Sequence, residues 1–174
     1  MATKYLGSLL VISMALTHST QAEAPIAVKI VPVASEMRDA GIPIGNVQVK
    51  FADGHVELWT KRGRCLLAKI AKGDHVGWTR YTSRSEREAP ENDTLRLMVN
   101  NERWVDFRIG YPFIDDWDIS PDGTSVIIKA RFTHGPARFI RFDFHTQKEL
   151  EQAYGGVSYS ELPAWAQPFA DDVP

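Results

Sequence analysis

A single cysteine, Cys65, stands in a chain of 174 residues, so no disulfide can close within it and the core must hold by packing alone. Charge of one sign is missing too: 20 Lys and Arg face 22 Asp and Glu, a formal net charge of −2. That balance removes the electrostatic footprint of a nucleic-acid binder or of a protein held on an anionic membrane. Beyond the first residues, no apolar run approaches the roughly 20 residues that a membrane-spanning helix needs. The sequence also lacks a Gly-x-Ser-x-Gly elbow, a phosphate-binding glycine loop and a His-Glu-x-x-His zinc helix. No cofactor or metal is therefore expected, and Cys65, beside Leu66 and Leu67, reads as a buried inert thiol.

What is present falls into two parts. Met1 to Ala22 carries one charge, Lys4, followed by the mostly apolar run Tyr5 to Leu16 and by Thr20-Gln21-Ala22 with small residues at the recognition positions. This is the layout of a secretory signal peptide, with cleavage expected after Ala22 and the remaining chain, 23–174, in the periplasm or outside the cell. Hydrophobic residues make up 44% of the sequence and charged ones 24%, a globular composition that fits one β-rich domain rather than a disordered segment.

Alternation is the dominant pattern. From Phe113 to His145 it runs through three segments and predicts three antiparallel strands. Val126, Ile128, Ala130 and Phe132 fall on one face and Ile127, Lys129 and Arg131 on the other; Ile140, Phe142 and Phe144 repeat the pattern. Asp53-Gly54 predicts a two-residue turn that pairs Phe51 with Val56 and Val49 with Leu58. The same arithmetic around Asp122-Gly123 pairs Ile119 with Val126 and Trp117 with Ile128, as if one unit were copied, while a type I turn with a glycine bulge would set Ile119 against Ser125. Leu95, Leu97 and Val99 alternate toward Val105, Phe107 and Ile109 as another hairpin.

Pro32 confines a first strand, Ile26 to Val33, to a sheet edge. Short helices are expected at one turn from Ser35 to Gly41 and at Gln147 to Tyr154, where Thr146 and Glu149 have capping-box spacing and Gly155 is a stop. Thr82 to Asp93 reads as a solvated loop, and the proline-containing tail from Val157 to Pro174 as an irregular strap across the domain. The expectation is a mainly β fold of antiparallel hairpins in blade-like sheets, packed as a compact open or sandwich-like domain with one or two short helices.

The order Trp117-x-Ile119-Ser120-Pro121-Asp122-Gly123, a strand to Phe132, and a strand from Phe139 closing on Asp143-Phe144-His145-Thr146 resembles one blade of a TolB-like β-propeller repeat. The resemblance implies four-stranded antiparallel sheets and carries no function with it. Gln147 departs from the repeat, standing where the glycine of the closing turn is expected. Propellers typically close with about four to eight blades and this chain has material for about two or three, which favours open or sandwich-like packing over a ring.

Candidate chemistry is sparse. Asp118-x-Ser120-x-Asp122-Gly123 opens like a calcium loop, with Asp115 and Asp116 nearby, yet Lys129 stands where the bidentate acid is required. Those acids read as turn and polar-face residues. His55, His75, His134 and His145 lie near turns, and a small secreted hydrolase would need His134 or His145 beside a serine or Cys65 and an acid. Trp59 and Trp104 point away from the aliphatic stripes of their own strands, together with Glu57 and Asp106. If solvent reaches that face, it is an aromatic and charged surface of the kind enriched at protein interfaces. The alternative is that the tail, with Trp165 and Phe169, covers it. The function expected is a binding or structural module for a protein partner, with the hydrolase as the alternative.

Overall fold

The computed structural model of the chain describes residues 24–33, 38–39, 42–82, 91–99 and 103–170; the expected signal peptide, 1–22, lies outside them. The strands are β1 (Pro25–Pro32), β2 (Arg38–Asp39), β3 (Ile42–Pro43), β4 (Gly45–Phe51), β5 (Val56–Leu58), β6 (Cys65–Ala71), β7 (His75–Thr82), β8 (Glu91–Val99), β9 (Arg103–Arg108), β10 (Phe113–Ile119), β11 (Ser125–Arg131), β12 (Arg138–Asp143) and β13 (Glu149–Tyr154). Two 3₁₀ turns, Tyr159–Glu161 and Gln167–Phe169, complete the regular elements, and no α-helix occurs among the described residues. One open 11-stranded sheet runs in the order β1-β4-β6-β7-β8-β10-β11-β12-β13, with β5 beside β4 and β9 beside β8. Every pairing in it is antiparallel except that of β8 with β10. The proline-bearing β1 lies at one end of this order, where a missing N–H costs no ladder bond.

Where alternation is strong, register follows it. Leu95 faces Phe107 and Leu97 faces Val105; Ile119 faces Val126 and Trp117 faces Ile128. All eight side chains are buried. At Asp53-Gly54 the register differs by one: Val49 faces Glu57 and Lys50 faces Val56. The turn is the reason. Gly54 N donates to Phe51 O and Phe51 N to His55 O, each at 3.0 Å, and Gly54 sits at φ +91°. This is a three-residue loop with a glycine bulge rather than a two-residue turn. A slip of one residue exchanges the faces of a strand, so Val56 and Leu58 are left 51% and 47% exposed. The two Asp-Gly turns are not copies of one unit.

The helix expected at Gln147 to Tyr154 is instead β13, which pairs with β12 so that Phe139 faces Ala153 and Ile140 faces Gln152. The Asp143 carboxylate accepts the N–H of His145 at 3.0 Å, the N–H of Thr146 at 2.7 Å and the Thr146 hydroxyl at 2.9 Å. Thr146 is thereby tied back to the strand behind it and is not free to cap a helix ahead. Gln147 then takes φ +59°, a conformation usually left to glycine. The outcome is a four-stranded antiparallel meander, β10 to β13. Of the other expected helical turn, the described part, Arg38–Asp39, is extended and pairs with Ile42–Pro43. The stretch expected as a loop before Leu95 is strand from Glu91 onward.

Side chains from both halves of the sheet share one core. Leu95, Leu97, Val105 and Phe107 pack with Trp117, Ile128, Ile140 and Phe142, the Phe107 and Phe142 rings lying 5.6 Å apart. Gly77 makes room for this contact, since a Cβ there would lie 2.3 Å from Leu97 and 2.7 Å from the Trp117 ring. The Trp117 indole donates to Leu67 O at 3.1 Å, within a bulge of β6 where Leu67 takes φ +48°. A second cluster of Val47, Val49, Phe51, Val76 and Trp78 fills the first half. The tail crosses the far face, where Leu162 and Ala166 pack with Phe139 and Ala153. Ile127 and Lys129, polar-face positions by alternation, are only 3% and 8% exposed, so β11 has little solvent on either side.

Candidate functional site

Trp59 follows β5 and Trp104 lies in β9, yet their rings meet edge-to-face at 5.4 Å and 81°. Trp78 of β7 joins them, 4.8 Å from Trp104 and 6.4 Å from Trp59. Sheet pairing accounts for the meeting: Trp78 faces Arg96, which faces Asp106, so the three form a row across β7, β8 and β9. Trp104, two residues from Asp106, shares that face. Trp78 is buried, Trp59 is half-buried with its Nε1 donating to Glu57 at 2.7 Å, and Trp104 is 39% exposed. The described part of the tail, to Ala170, does not cover this face: Trp165 and Phe169 pack beside Phe139 instead.

Beside the cluster opens a cleft of about 760 Å³, lined by Trp59, Trp78 and five cations, Lys61, Arg62, Arg64, Arg80 and Arg96. Three of these cations come from the segment between β5 and β6, which Asn46 pins in place. Its Oδ1 accepts Gly63 N at 2.7 Å and the Thr60 hydroxyl at 3.4 Å, while Thr60 Oγ1 accepts Val47 N at 2.9 Å. Gly63 at φ +64° lets the backbone turn onto Asn46 without a Cβ penalty.

The cations divide by partner. Arg96 donates from Nε and Nη2 to both oxygens of Asp106, each at 2.6 Å, a bidentate pair that raises the guanidinium pKa further. Arg80 reaches the same carboxylate at 3.7 Å. Among the described residues, no carboxylate lies within ion-pair distance of Lys61, Arg62 or Arg64. Five lining cations, answered among the described residues by Asp106 behind Arg96 and by Glu57 beside Trp59, make the cleft a local sink for anions, even though the chain as a whole is slightly acidic. Cys65 also lines it, its thiol donating to Thr60 Oγ1 at 3.6 Å. Burial pushes the thiol pKa up despite the nearby arginines, so the cleft holds a thiol rather than a thiolate nucleophile.

The histidines are dispersed. His55 bonds Asp53 at 2.5 Å, which raises its pKa, and stacks on Phe51 at 4.2 Å. His75 rests on Phe144 at 5.1 Å, and His134 and His145 are exposed. Among the described residues none of them lines the cleft, and none meets Cys65 or a serine in the arrangement that a hydrolase requires. The acids are engaged by neighbouring groups: Asp115 with Arg131 at 2.9 Å, Asp116 with Lys69 at 2.7 Å, Asp118 with the same Lys69 at 3.9 Å, and Asp122 with the hydroxyls of Ser120 and Thr124 at 2.6 and 2.9 Å.

Trp104 stands on the face that strand alternation assigns to it, whereas Trp59, expected opposite Val49 and Phe51, comes to their face through the one-residue slip of β5, its N–H donating to Val47 O at 2.9 Å; Trp78 and the arginines do not stand out along the sequence. The available signal was the spacing of Trp78 and Arg80, two apart on one strand and therefore on one face. No known protein family matches this chain, and no curated protein sequence does either.

Proposed function

We propose that the protein is an exported binding module that engages a protein partner through the Trp59 and Trp104 surface. The observation in its favour is a partly exposed tryptophan cluster, gathered from the segment after β5, from β7 and from β9, beside Arg62 and Arg64, which have no acidic partner among the described residues. Tryptophan and arginine carry most of the binding energy at protein interfaces, and rings already packed against one another lose little freedom on docking. The meander β10 to β13 fits the blade-like resemblance read from Ser120-Pro121-Asp122-Gly123, and blade-like sheets serve as scaffolds for binding surfaces. Export rests on the layout of Met1 to Ala22 and puts the partner in the periplasm or outside the cell.

The test is capture of a partner from the exported fraction of the source cell, followed by reconstitution with both components purified. Trp104→Ala is expected to weaken the purified complex by about tenfold or more, the range of an interface hot spot. Undiminished affinity in both Trp104→Ala and Trp59→Ala would overturn the assignment of the surface. Mass spectrometry of the exported protein should find Glu23 at its N-terminus; Met1 there would overturn export.

A further inference from the structure

The geometry points to an acidic peptide segment of the partner as the occupant of the cleft beside the tryptophans. This rests on the protein-partner reading above and adds the chemistry of what is recognised. The row Trp78, Arg96, Asp106 already shows how this face takes a carboxylate: Asp106 fills the Arg96 fork with two bonds of 2.6 Å. Arg62 and Arg64 offer the same fork, are exposed, and have no carboxylate within ion-pair distance among the described residues. They project from a segment that Asn46 holds by Gly63 and Thr60, so the forks are presented from an anchored backbone. A planar guanidinium matches a carboxylate bidentately, and an arginine prepared in this way loses less entropy per bond than a lysine.

Other classes of anion fit less well. A site for a small molecule is enclosed and lined mainly by apolar groups with a few polar ones. Here cations are half of the lining, and the aromatic surface continues past the cleft to Trp104. A nucleic acid gains affinity by neutralising many phosphates along a basic track, whereas the cations here are gathered around one cleft in a chain with more Asp and Glu than Lys and Arg. A short run of acidic side chains next to an apolar one satisfies both parts of the surface, with carboxylates on Arg62 and Arg64 and the apolar residue on Trp104.

The experiment uses the purified chain and an array of hexapeptides, each with two or three Glu or Asp and one apolar residue, beside the same array with Gln and Asn in place of the acids. The acidic array should retain the protein about tenfold better than the amide array, and the difference should shrink as salt screens the charges. Arg62→Ala with Arg64→Ala, both at exposed positions, should remove most of the difference while the urea midpoint stays in place. Equal retention by the two arrays, or no retention, would overturn the proposal. So would tighter binding of a short single-stranded oligonucleotide or of a uronic-acid oligomer. If the double arginine variant holds the purified partner at full strength while Trp104→Ala loses it, the acidic segment is wrong and the interface stands. If the double arginine variant, Trp104→Ala and Trp59→Ala all hold it at full strength, both readings fall.

Discussion

Asn92 and Ile114 exchange two hydrogen bonds across the junction of the sheet: Ile114 N–H donates to Asn92 Oδ1 at 3.0 Å, and Asn92 Nδ2 donates to Ile114 O at 2.8 Å. β8 and β10 share a single bridge, Phe113 with Asn92, so a side-chain amide does here what a strand ladder does elsewhere. Asn92 is 7% exposed, and little water can replace it. Asn92→Leu leaves a buried donor and a buried acceptor without partners and should lower stability by about 2–4 kcal/mol, since each orphaned group costs about 1–3 kcal/mol. Urea melts of the variant would show this as a shifted midpoint; an unchanged midpoint would mean that the junction is held by packing alone.

Gly77 tests the shared core. An added methyl would meet Leu97 at 2.3 Å and Trp117 at 2.7 Å. Gly77→Ala should therefore destabilise by about 1–3 kcal/mol, the usual cost of overpacking. Combined with Leu97→Ala it should lose less than the two single changes added together, because the second change makes room for the first. Strict additivity in the double-mutant cycle would show that Gly77 does not touch Leu97.

Three of the turn positions at positive φ test the backbone directly. Gly54 at +91° and Gly123 at +74° have open space around a would-be Cβ, so alanine there meets only the conformational penalty. Gly54→Ala and Gly123→Ala should each cost about 1 kcal/mol or somewhat more. Gln147 at +59° bears that penalty already. Gln147→Gly should recover about 1 kcal/mol less the entropy glycine adds to the unfolded chain, giving a small net gain or no loss. A clear loss in Gln147→Gly would show that the glutamine side chain holds the turn.

Two turns should also report on acid. The Ser120 hydroxyl, with the Thr124 N–H and hydroxyl, holds the Asp122 carboxyl down to about 2, from an ordinary 3.8. The N–H and hydroxyl of Thr146 likewise lower Asp143. A carboxyl depressed on folding contributes stability that is whole above its unfolded pKa and is lost as pH falls through the folded value. Stability from Asp122 should thus be intact above about pH 4 and drain away toward pH 2. In Asp122→Asn the urea midpoint should be lower at pH 6 and should fall less between pH 4 and pH 2. Parallel profiles for the wild type and the variant would sink this account of the turn.

Alternation by itself determined the strands around Leu95 to Val99, Val105 to Phe107 and Phe113 to Phe142, and most of their faces. Leu95 opposite Phe107 and Trp117 opposite Ile128 follow from period-two burial, which leaves no other register able to hide those side chains. Pro32 likewise marked an edge through a donor it does not have. Tertiary structure decided the rest, because local chemistry pointed more than one way. Thr146 and Glu149 have capping-box spacing, but β12 offered a full ladder of backbone partners, and Asp143 took the Thr146 hydroxyl first. At Asp53-Gly54 the dipeptide was compatible with two loop lengths; the bulged loop leaves His55 opposite Phe51, with the two rings stacked. The cleft depended most on the third dimension. Arg62, Trp78 and Arg96 come from three stretches whose spacing along the chain carries no mutual signal, and only the lateral pairing of β7 with β8, together with the anchor at Asn46, sets them around one space.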